Sequence, residues 1–148
     1  MLTNKGKYGL KALAHLASLP AGETAQSQEI AEANQIPKKF LDAILGELRV
    51  AGIVRSKKGK GGGYMLARDP NQITVGNAIR VLDGPLAPIA CASRTAYQPC
   101  QDCPDIPGCT VRLLMQKVRD ISSNLLDNTS VEEMRQAGMG GQALSYSI

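Results

Sequence analysis

The segment IPKKFLDAILGELRVAGIVRSKKGKGGGYMLAR, residues 36–68, decides the fold. Pro37 stands where a first helical turn tolerates proline. Apolar residues then recur at helical spacing: Phe40, Leu41, Ile44, Leu45 and Leu48. Gly52 ends the helix, because glycine accepts the left-handed conformation that a residue just past a helix adopts. We predict a helix from Pro37 to this glycine, with Phe40, Leu41 and Ile44 in the core.

A β-hairpin is predicted directly after this helix. Residues 53–57 and 64–67 have strand character, and the glycine-rich run KGKGGG, residues 58–63, forms the turn between them. Glycines let a backbone approach phosphates or enter a narrow groove, and lysines supply charge that phosphates attract. A plain flexible hairpin is the simpler alternative. A nucleotide-binding P-loop fits poorly, because no GK[ST] occurs and a strand follows instead of a helix.

Two helices are predicted before this segment. Residues 4–18 carry an apolar face that includes Tyr8 and Leu13, and Pro20 with Gly22 ends the helix. Ser27 is the expected N-cap of a short helix over residues 28–34. About three residues join it to the longer helix, which is the spacing of a helix-turn-helix. Other helical hairpins share this spacing, so the hairpin after it carries more weight.

The second half of the chain contains a loop and a long helix. Thr74 caps a helix over residues 75–82, and residues 85–109 hold five prolines and all four cysteines, a composition typical of a loop. From Thr110 a long helix carries a wide apolar stripe: Leu114, Val118, Ile121 and Leu125, with Val111, Met115 and Leu126 beside them. This stripe predicts a dimer interface, the alternative being packing against the chain's own core.

A final short helix is expected after a capping box at Ser130 and Glu133. The chain thus divides into residues 1–84 as the first domain, 85–109 as a cysteine-rich loop, 110–136 as a long and a short helix, and 137–148 as a mobile tail.

Composition limits the classes of protein that fit. The chain has 148 residues, 43% of them hydrophobic, and no apolar run approaches the roughly 20 residues that span a bilayer. Its start, MLTNKGKYGL, lacks the features of a signal peptide. We therefore expect a cytoplasmic protein with no membrane partner.

Charge is unevenly divided along the chain. The net charge is +4, and residues 1–68 carry 11 Lys or Arg against 5 Asp or Glu, whereas residues 69–148 carry 6 against 8. This predicts a polyanion partner for the first half. Solvated surface lysines are the alternative reading.

The order of these features resembles the Rrf2 family of winged helix-turn-helix regulators, which includes iron–sulfur cluster regulators and nitric-oxide-sensing repressors. The segments that carry the resemblance are LTNKGKYGLKAL, the helix–hairpin segment ending in GGGY, TVGNAIRVLDG, and the cysteine loop before a long helix. The resemblance implies a mainly α fold. It comprises a winged helix-turn-helix, a small β-hairpin wing and a long C-terminal dimerisation helix.

The resemblance also implies a homodimer that binds a palindromic double-stranded DNA operator. On that basis Lys38, Lys39 and Asp42 lie on the exposed start of the recognition helix and face the major groove. Lys58 and Lys60, at the wing tip, reach the minor groove or the backbone. The remaining expected DNA-binding residues are Thr3 and Lys5, which would touch phosphate, and Gly61, Gly62 and Tyr64 of the wing.

The four cysteines, Cys91, Cys100, Cys103 and Cys109, favour metal or redox chemistry, because a cytosolic chain rarely keeps structural disulfides. Thiolates bind iron–sulfur clusters, and by the resemblance Cys91, Cys103 and Cys109 match a ligand trio. The family's histidine position holds Arg112, and residues 1–22 offer no acidic ligand. Cys100 is therefore our candidate fourth ligand of a 2Fe–2S or 4Fe–4S cluster. Four-cysteine zinc and a Cys100–Cys103 disulfide switch are the alternatives.

We therefore predict a DNA-binding transcription regulator, either a repressor or an activator, that senses iron–sulfur status, redox state or nitric oxide. An iron–sulfur carrier or electron-transfer protein is the second hypothesis, although it would need no recognition helix and wing in tandem. An enzyme is disfavoured, because the sequence shows no nucleophile–base pair and only one histidine.

Overall fold

The structure is a computed structural model that describes residues 2–140. Its two strands pair antiparallel, with Val54 opposite Leu66 and Lys57 opposite Gly63. The predicted mobile tail falls on residues 137–148; residues 137–140 complete the last helix, and residues 141–148 lie outside the described part. The elements in chain order are α1 (Asn4–Ala17), α2 (Ser27–Asn34), α3 (Lys38–Val50), β1 (Val54–Lys57), β2 (Gly63–Leu66), α4 (Val75–Asp83), α5 (Thr110–Asp127) and α6 (Val131–Gly140).

The core forms around α3. Four of its side chains are at most 2% exposed: Leu41, Ile44, Leu45 and Leu48. They pack in one cluster with residues of α1, α2 and α4, and Val131 of α6 joins it. The prediction that Leu41 and Ile44 are core residues is confirmed. The same prediction for Phe40 is wrong, since its side chain is 59% exposed. Phe40 lies about a quarter turn from the centre of the buried stripe, and no element covers that side.

Local capping explains where several helices begin. Thr74 accepts a hydrogen bond from the Asn77 amide, as predicted. The Ser130 hydroxyl accepts from the Glu133 amide while the Glu133 carboxylate accepts from the Ser130 amide, which confirms the capping box. At α2 the prediction was one residue off. Gln26 is the N-cap and forms a capping box with Glu29, so Ser27 is the first helical residue.

The start of α1 is fastened to the end of α4. The backbone amide and the hydroxyl of Thr3 both donate to the Asp83 carboxylate, and the same hydroxyl accepts from the Gly6 amide. The two helices approach closely because α1 presents glycines to α4. A Cβ on Gly6 would collide with Asp83, and one on Gly9 would collide with Leu82. The first helix is thus aligned by contacts 80 residues away in sequence.

The wing is attached to the segment that leads into α2. Ala25 and Tyr64 exchange two backbone hydrogen bonds of 3.0 and 2.7 Å, and the Thr24 hydroxyl donates to the Gly61 carbonyl. Gly63 makes this approach possible. Its φ is +151°, and a Cβ there would lie 2.5 Å from the Ala25 carbonyl oxygen. The hairpin is therefore fixed near its turn, at Gly61 and Tyr64, by three hydrogen bonds to residues 24 and 25.

The long helix α5 contacts its own domain on one face and leaves another face bare. Leu126 packs with Val75, Ile79 and Leu86, and Asp127 forms a two-pronged ion pair with Arg80. The predicted apolar stripe is therefore divided. Within residues 2–140 its exposed members, with the adjacent Leu113, are Val111, Leu113, Leu114 and Ile121. No helix in the described range is both long and apolar enough to cross a membrane.

We expect Gly63→Ala to lower the free energy of unfolding by more than about 1 kcal/mol, because the new Cβ meets the Ala25 backbone in a conformation that suits only glycine. Urea-induced unfolding followed by circular dichroism measures this loss.

Two glycine variants serve as controls. Gly46→Ala, inside α3 with open space around an added Cβ, is expected to gain up to about 1 kcal/mol from helix propensity. Gly59→Ala, at φ +96° with open space, reports the conformational cost alone. If Gly63→Ala cost no more than Gly59→Ala, the close approach to Ala25 would not hold the wing.

Candidate nucleic-acid interface and cysteine loop

The exposed start of α3 carries three of the predicted DNA-binding residues. Lys38, Lys39 and Asp42 are all exposed. Lys38 donates to the Asp42 carboxylate at 2.9 Å, one helical turn apart. This bond is the main reason that the pKa of Asp42 lies below its ordinary value. Lys39 has no ion-pair partner among the described residues. The Lys38 ammonium group is thus held by Asp42, whereas the Lys39 ammonium group is available to bind an anion.

The wing concentrates positive charge that nothing in residues 2–140 neutralises. Four cationic side chains on β1 and the tip are exposed and form no ion pair in that range: Arg55, Lys57, Lys58 and Lys60. Gly62 lies so close to the Lys57 and Gly59 carbonyls that any side chain would collide. The Gly61 carbonyl and the Tyr64 backbone make the hydrogen bonds to residues 24 and 25 described above. The tip therefore presents its lysines on a tightly turned backbone.

Thr3 and Lys5 already have protein partners. Thr3 is engaged with Asp83, and the Lys5 ammonium lies 2.7 Å from the Glu47 carboxylate. Both residues of this ion pair keep over two fifths of their side-chain surface exposed. Lys5 can therefore exchange Glu47 for a phosphate at small cost, because exposed ion pairs contribute little stability.

Phe40 is a candidate interface residue that sequence reasoning missed. It borders an apolar opening of about 470 Å³ between α1 and α3, with Asn4, Lys5, Tyr8, Ala43 and Ile44 as the other lining residues. A signal existed in the sequence. Phe40 is offset from the stripe of Leu41, Ile44, Leu45 and Leu48, so a strict helical-wheel count would place it at the stripe's edge.

Two of the four thiols of the cysteine loop influence each other. The neighbouring Cys109 is the main cause of the raised pKa of Cys103, whose thiol donates to the Asp105 carbonyl at 3.7 Å. The pKa of Cys109 lies below its ordinary value, chiefly because of the Arg112 backbone amide and then because of Cys103. Cys109 is the N-cap of α5, where unpaired helix amides favour a thiolate. Cys109 is therefore the more acidic thiol of the two.

The other two cysteines lie apart from this pair. The exposed Cys100 thiol donates to Asp102 at 2.7 Å, and this bond is the main cause of its raised pKa. Cys91 is buried in the short 3₁₀ turn Ala90–Ala92. Within residues 2–140 no three His, Cys, Asp or Glu side chains stand close enough to hold a metal ion. In this arrangement the four cysteines do not fit a cluster or a zinc ion, and the cysteine that most affects the pKa of Cys103 is Cys109.

Two arginines of α5 hold the turn that contains Cys91. The Arg112 Nε donates to the Cys91 carbonyl at 2.9 Å, and Arg119 Nη1 donates to the Ala92 carbonyl. Arg119 is itself buried and bonds Asp120. The sequence indicates Arg112 only by its position after the last cysteine and gives no sign of the role of Arg119, because residue types do not show which backbone carbonyl a side chain will bind.

Known proteins resemble this chain over nearly its whole length. The sequence profile of the Rrf2 family, described as iron-dependent transcriptional regulators, matches residues 2–137. A Rhodobacter capsulatus protein named as an Rrf2-like HTH-type transcriptional regulator is 42% identical over 141 residues, covering 93% of this chain and 94% of that one.

Two solved structures also resemble this chain in fold. CymR, the global cysteine regulator of B. subtilis, superposes with a TM-score of 0.76 at 32% identity, covering 92% of this chain and 96% of that one. T. potens IscR does so with 0.75 at 27% identity, covering 99% and 93%. With its winged helix-turn-helix, this chain belongs to the Rrf2 family of DNA-binding transcriptional regulators and is not an enzyme.

Proposed function

We propose that the chain acts in the cytoplasm as a homodimer that binds a palindromic operator and changes its affinity with redox or iron–sulfur status. The observation that carries the DNA-binding part is the set of exposed, unneutralised cations on the start of α3 and on the wing. In a dimer the two α3 helices would enter successive major grooves, about 34 Å apart. The wing lysines would contact the flanking backbone or minor groove.

Dimerisation is proposed through the bare face of α5. Ile121 is 72% exposed and Leu114 and Val111 more than half exposed, although an isolated monomer gains nothing from apolar side chains in water. A second copy of α5 would cover them, as the family resemblance implies.

Lys58→Gln combined with Lys60→Gln is expected to weaken binding to every duplex alike, because the lysines would contact phosphate. The slope of log K against log salt should fall by up to about 2. Gel shifts with the DNA upstream of the chain's own operon measure both effects. They are run between 50 and 200 mM salt, because a protein with about six phosphate contacts loses much of its affinity over that range.

Arg135→Gln is the control, because Arg135 is a cation on α6 that is paired with Glu132. This variant should bind DNA as wild type does.

Ile121→Asp should give monomers in size-exclusion chromatography and lose operator binding. A wild-type monomer that binds the upstream DNA no better than random competitor would contradict the proposal.

Phe40 is proposed to read thymine. Its exposed ring lies on the first turn of α3, and the C5-methyl of thymine is the apolar group that a major groove offers. Replacing the contacted thymine by deoxyuridine removes that methyl, and burial of one such carbon is worth about 0.8 kcal/mol, or roughly fourfold in affinity.

We expect the affinity of wild type to fall roughly fourfold when uracil replaces thymine at one position of each half-site. Phe40→Ala should bind the thymine and uracil duplexes with equal affinity. Val50→Ala, at the exposed far end of α3, is the matched control and should keep the full difference. If uracil weakened wild type and Phe40→Ala to the same extent at every position, Phe40 would not be the contact.

The cysteine loop is proposed as the sensor, in one of two forms. The mutual influence of Cys103 and Cys109 on their pKa values favours a thiol switch, in which hydrogen peroxide takes two electrons and two protons from the two thiols, leaving a disulfide and two molecules of water. The four cysteines and the likeness to IscR favour a cysteine-ligated iron–sulfur cluster, with zinc as the competing metal. A cluster would require the loop to close, since its thiols stand apart in this structure.

Cys100→Ala distinguishes the two forms. With a thiol switch, protein purified without oxygen is colourless, and peroxide forms one disulfide that survives in Cys100→Ala and vanishes in Cys103→Ser. With a cluster, wild type carries iron and sulfide in analysis and absorbs visible light, whereas Cys100→Ala loses or destabilises the cofactor. Full cluster content and unchanged spectra in Cys100→Ala would reject Cys100 as the fourth ligand, and zinc alone in metal analysis would reject both forms.

A further inference from the structure

The few cations of the second half of the chain converge on one place. Residues 69–148 hold only six Lys or Arg, and four of them line a groove of about 660 Å³ between α5 and the cysteine loop: Arg94, Arg112, Lys117 and Arg119. A fifth, Arg80, lines an adjoining cavity of about 410 Å³ that shares Arg94 and Arg119. We call the first cavity the arginine groove. Because this half of the chain has a net negative charge, its cations are not expected to lie together by composition alone.

The arginine groove has more positive charge than its own carboxylates balance. Asp120 is the only acidic residue among those that line it. Its Oδ1 already accepts from Arg119 and, at 3.1 Å, from Arg94. The Arg112 Nε donates to the Cys91 carbonyl, and Lys117 has no ion pair within residues 2–140. Four cations therefore face one carboxylate in a concave site.

The groove is separate from the surface assigned to DNA and borders the one assigned to the second subunit. Its lining comes only from the loop and α5, not from α3 or the wing. Around α5, Arg112, Gln116 and Arg119 lie roughly 120–180° from the centre of the bare apolar stripe, whereas Leu113 and Lys117 lie at the edge of that stripe. A dimer formed through the stripe would leave the side with Arg112 and Arg119 open to small molecules and would bring the second subunit close to Lys117.

We propose that the arginine groove binds a small polyvalent anion bearing carboxylate or phosphate groups. Guanidinium groups match such oxygens with paired hydrogen bonds. Arg119, held by Asp120 and the Ala92 carbonyl, is a fixed donor at the floor. The exposed Arg94 and Lys117 would close on the ligand from the two sides.

The ligand would also act on the cysteine loop. Arg112 and Arg119 hold the carbonyls of Cys91 and Ala92, so an anion bound to the same guanidinium groups would link the loop and α5 more firmly. The groove would thus be an effector site beside the proposed sensor. Binding of the anion to the groove can be measured without DNA.

The test uses the full-length protein with sodium citrate and sodium phosphate as separate probes, at constant ionic strength maintained with sodium chloride. We expect saturable heat on titration and a saturable rise in Tm with at least one of them. Binding of citrate alone identifies a carboxylate ligand and binding of phosphate alone a phosphate ligand. Hydrogen exchange of amides 91–96 should slow when the effective probe is present.

Arg94→Gln combined with Lys117→Gln should weaken binding at least about tenfold, since each removes a charged hydrogen bond. Both residues are exposed, so the variant should fold. Lys58→Gln with Lys60→Gln is the matched control and should bind as wild type does. The proposal is overturned if neither probe binds saturably, if only the wing variant loses binding, or if the groove variant instead dissociates the dimer, which would make the groove a site for the partner's carboxylates.

Discussion

The burial of one stripe of α3 is the constraint on which the exposed face of that helix depends. Leu41, Ile44, Leu45 and Leu48 lie against α1, α2 and α4 with almost no exposure, and each such side chain contributes about 1.5–3 kcal/mol by its burial. Rotating the helix by one residue would move this stripe by 100° and carry charged side chains inward. The core therefore determines that Lys39, Asp42 and Phe40 face solvent, without any direct interaction among those three.

The wing obeys a different constraint. Two four-residue strands form only a marginal hairpin on their own. Its position is set by backbone hydrogen bonds between Ala25 and Tyr64 and by the bond from Thr24 to the Gly61 carbonyl. None of these needs a charged side chain. The lysines at the tip can therefore serve a ligand entirely, because the wing does not rely on them for its place in the fold.

Features with a local cause were predictable from sequence. The periodicity of α3 and α5, the caps at Thr74 and Ser130 and the glycine-rich turn all act within a few residues, and each occurs where predicted. Phe40 was misplaced because helical spacing alone does not say how wide a covering neighbour is. The engagement of Thr3 with Asp83 joins residues 80 apart, so no local pattern indicates it. The arginine groove likewise depends on where the loop folds back.

The way the cysteine loop is held limits how it can change. Arg112 and Arg119 hold backbone carbonyls at Cys91 and Ala92, and neither bond involves a thiol. At the other end Cys109 is the N-cap of α5. Both ends of the loop are therefore anchored to the same helix, and residues 93–108 between them are the part that can rearrange. A rearrangement of these residues would act on α5, whose far side carries the apolar stripe, so the proposed sensor and the proposed subunit contact would share one helix.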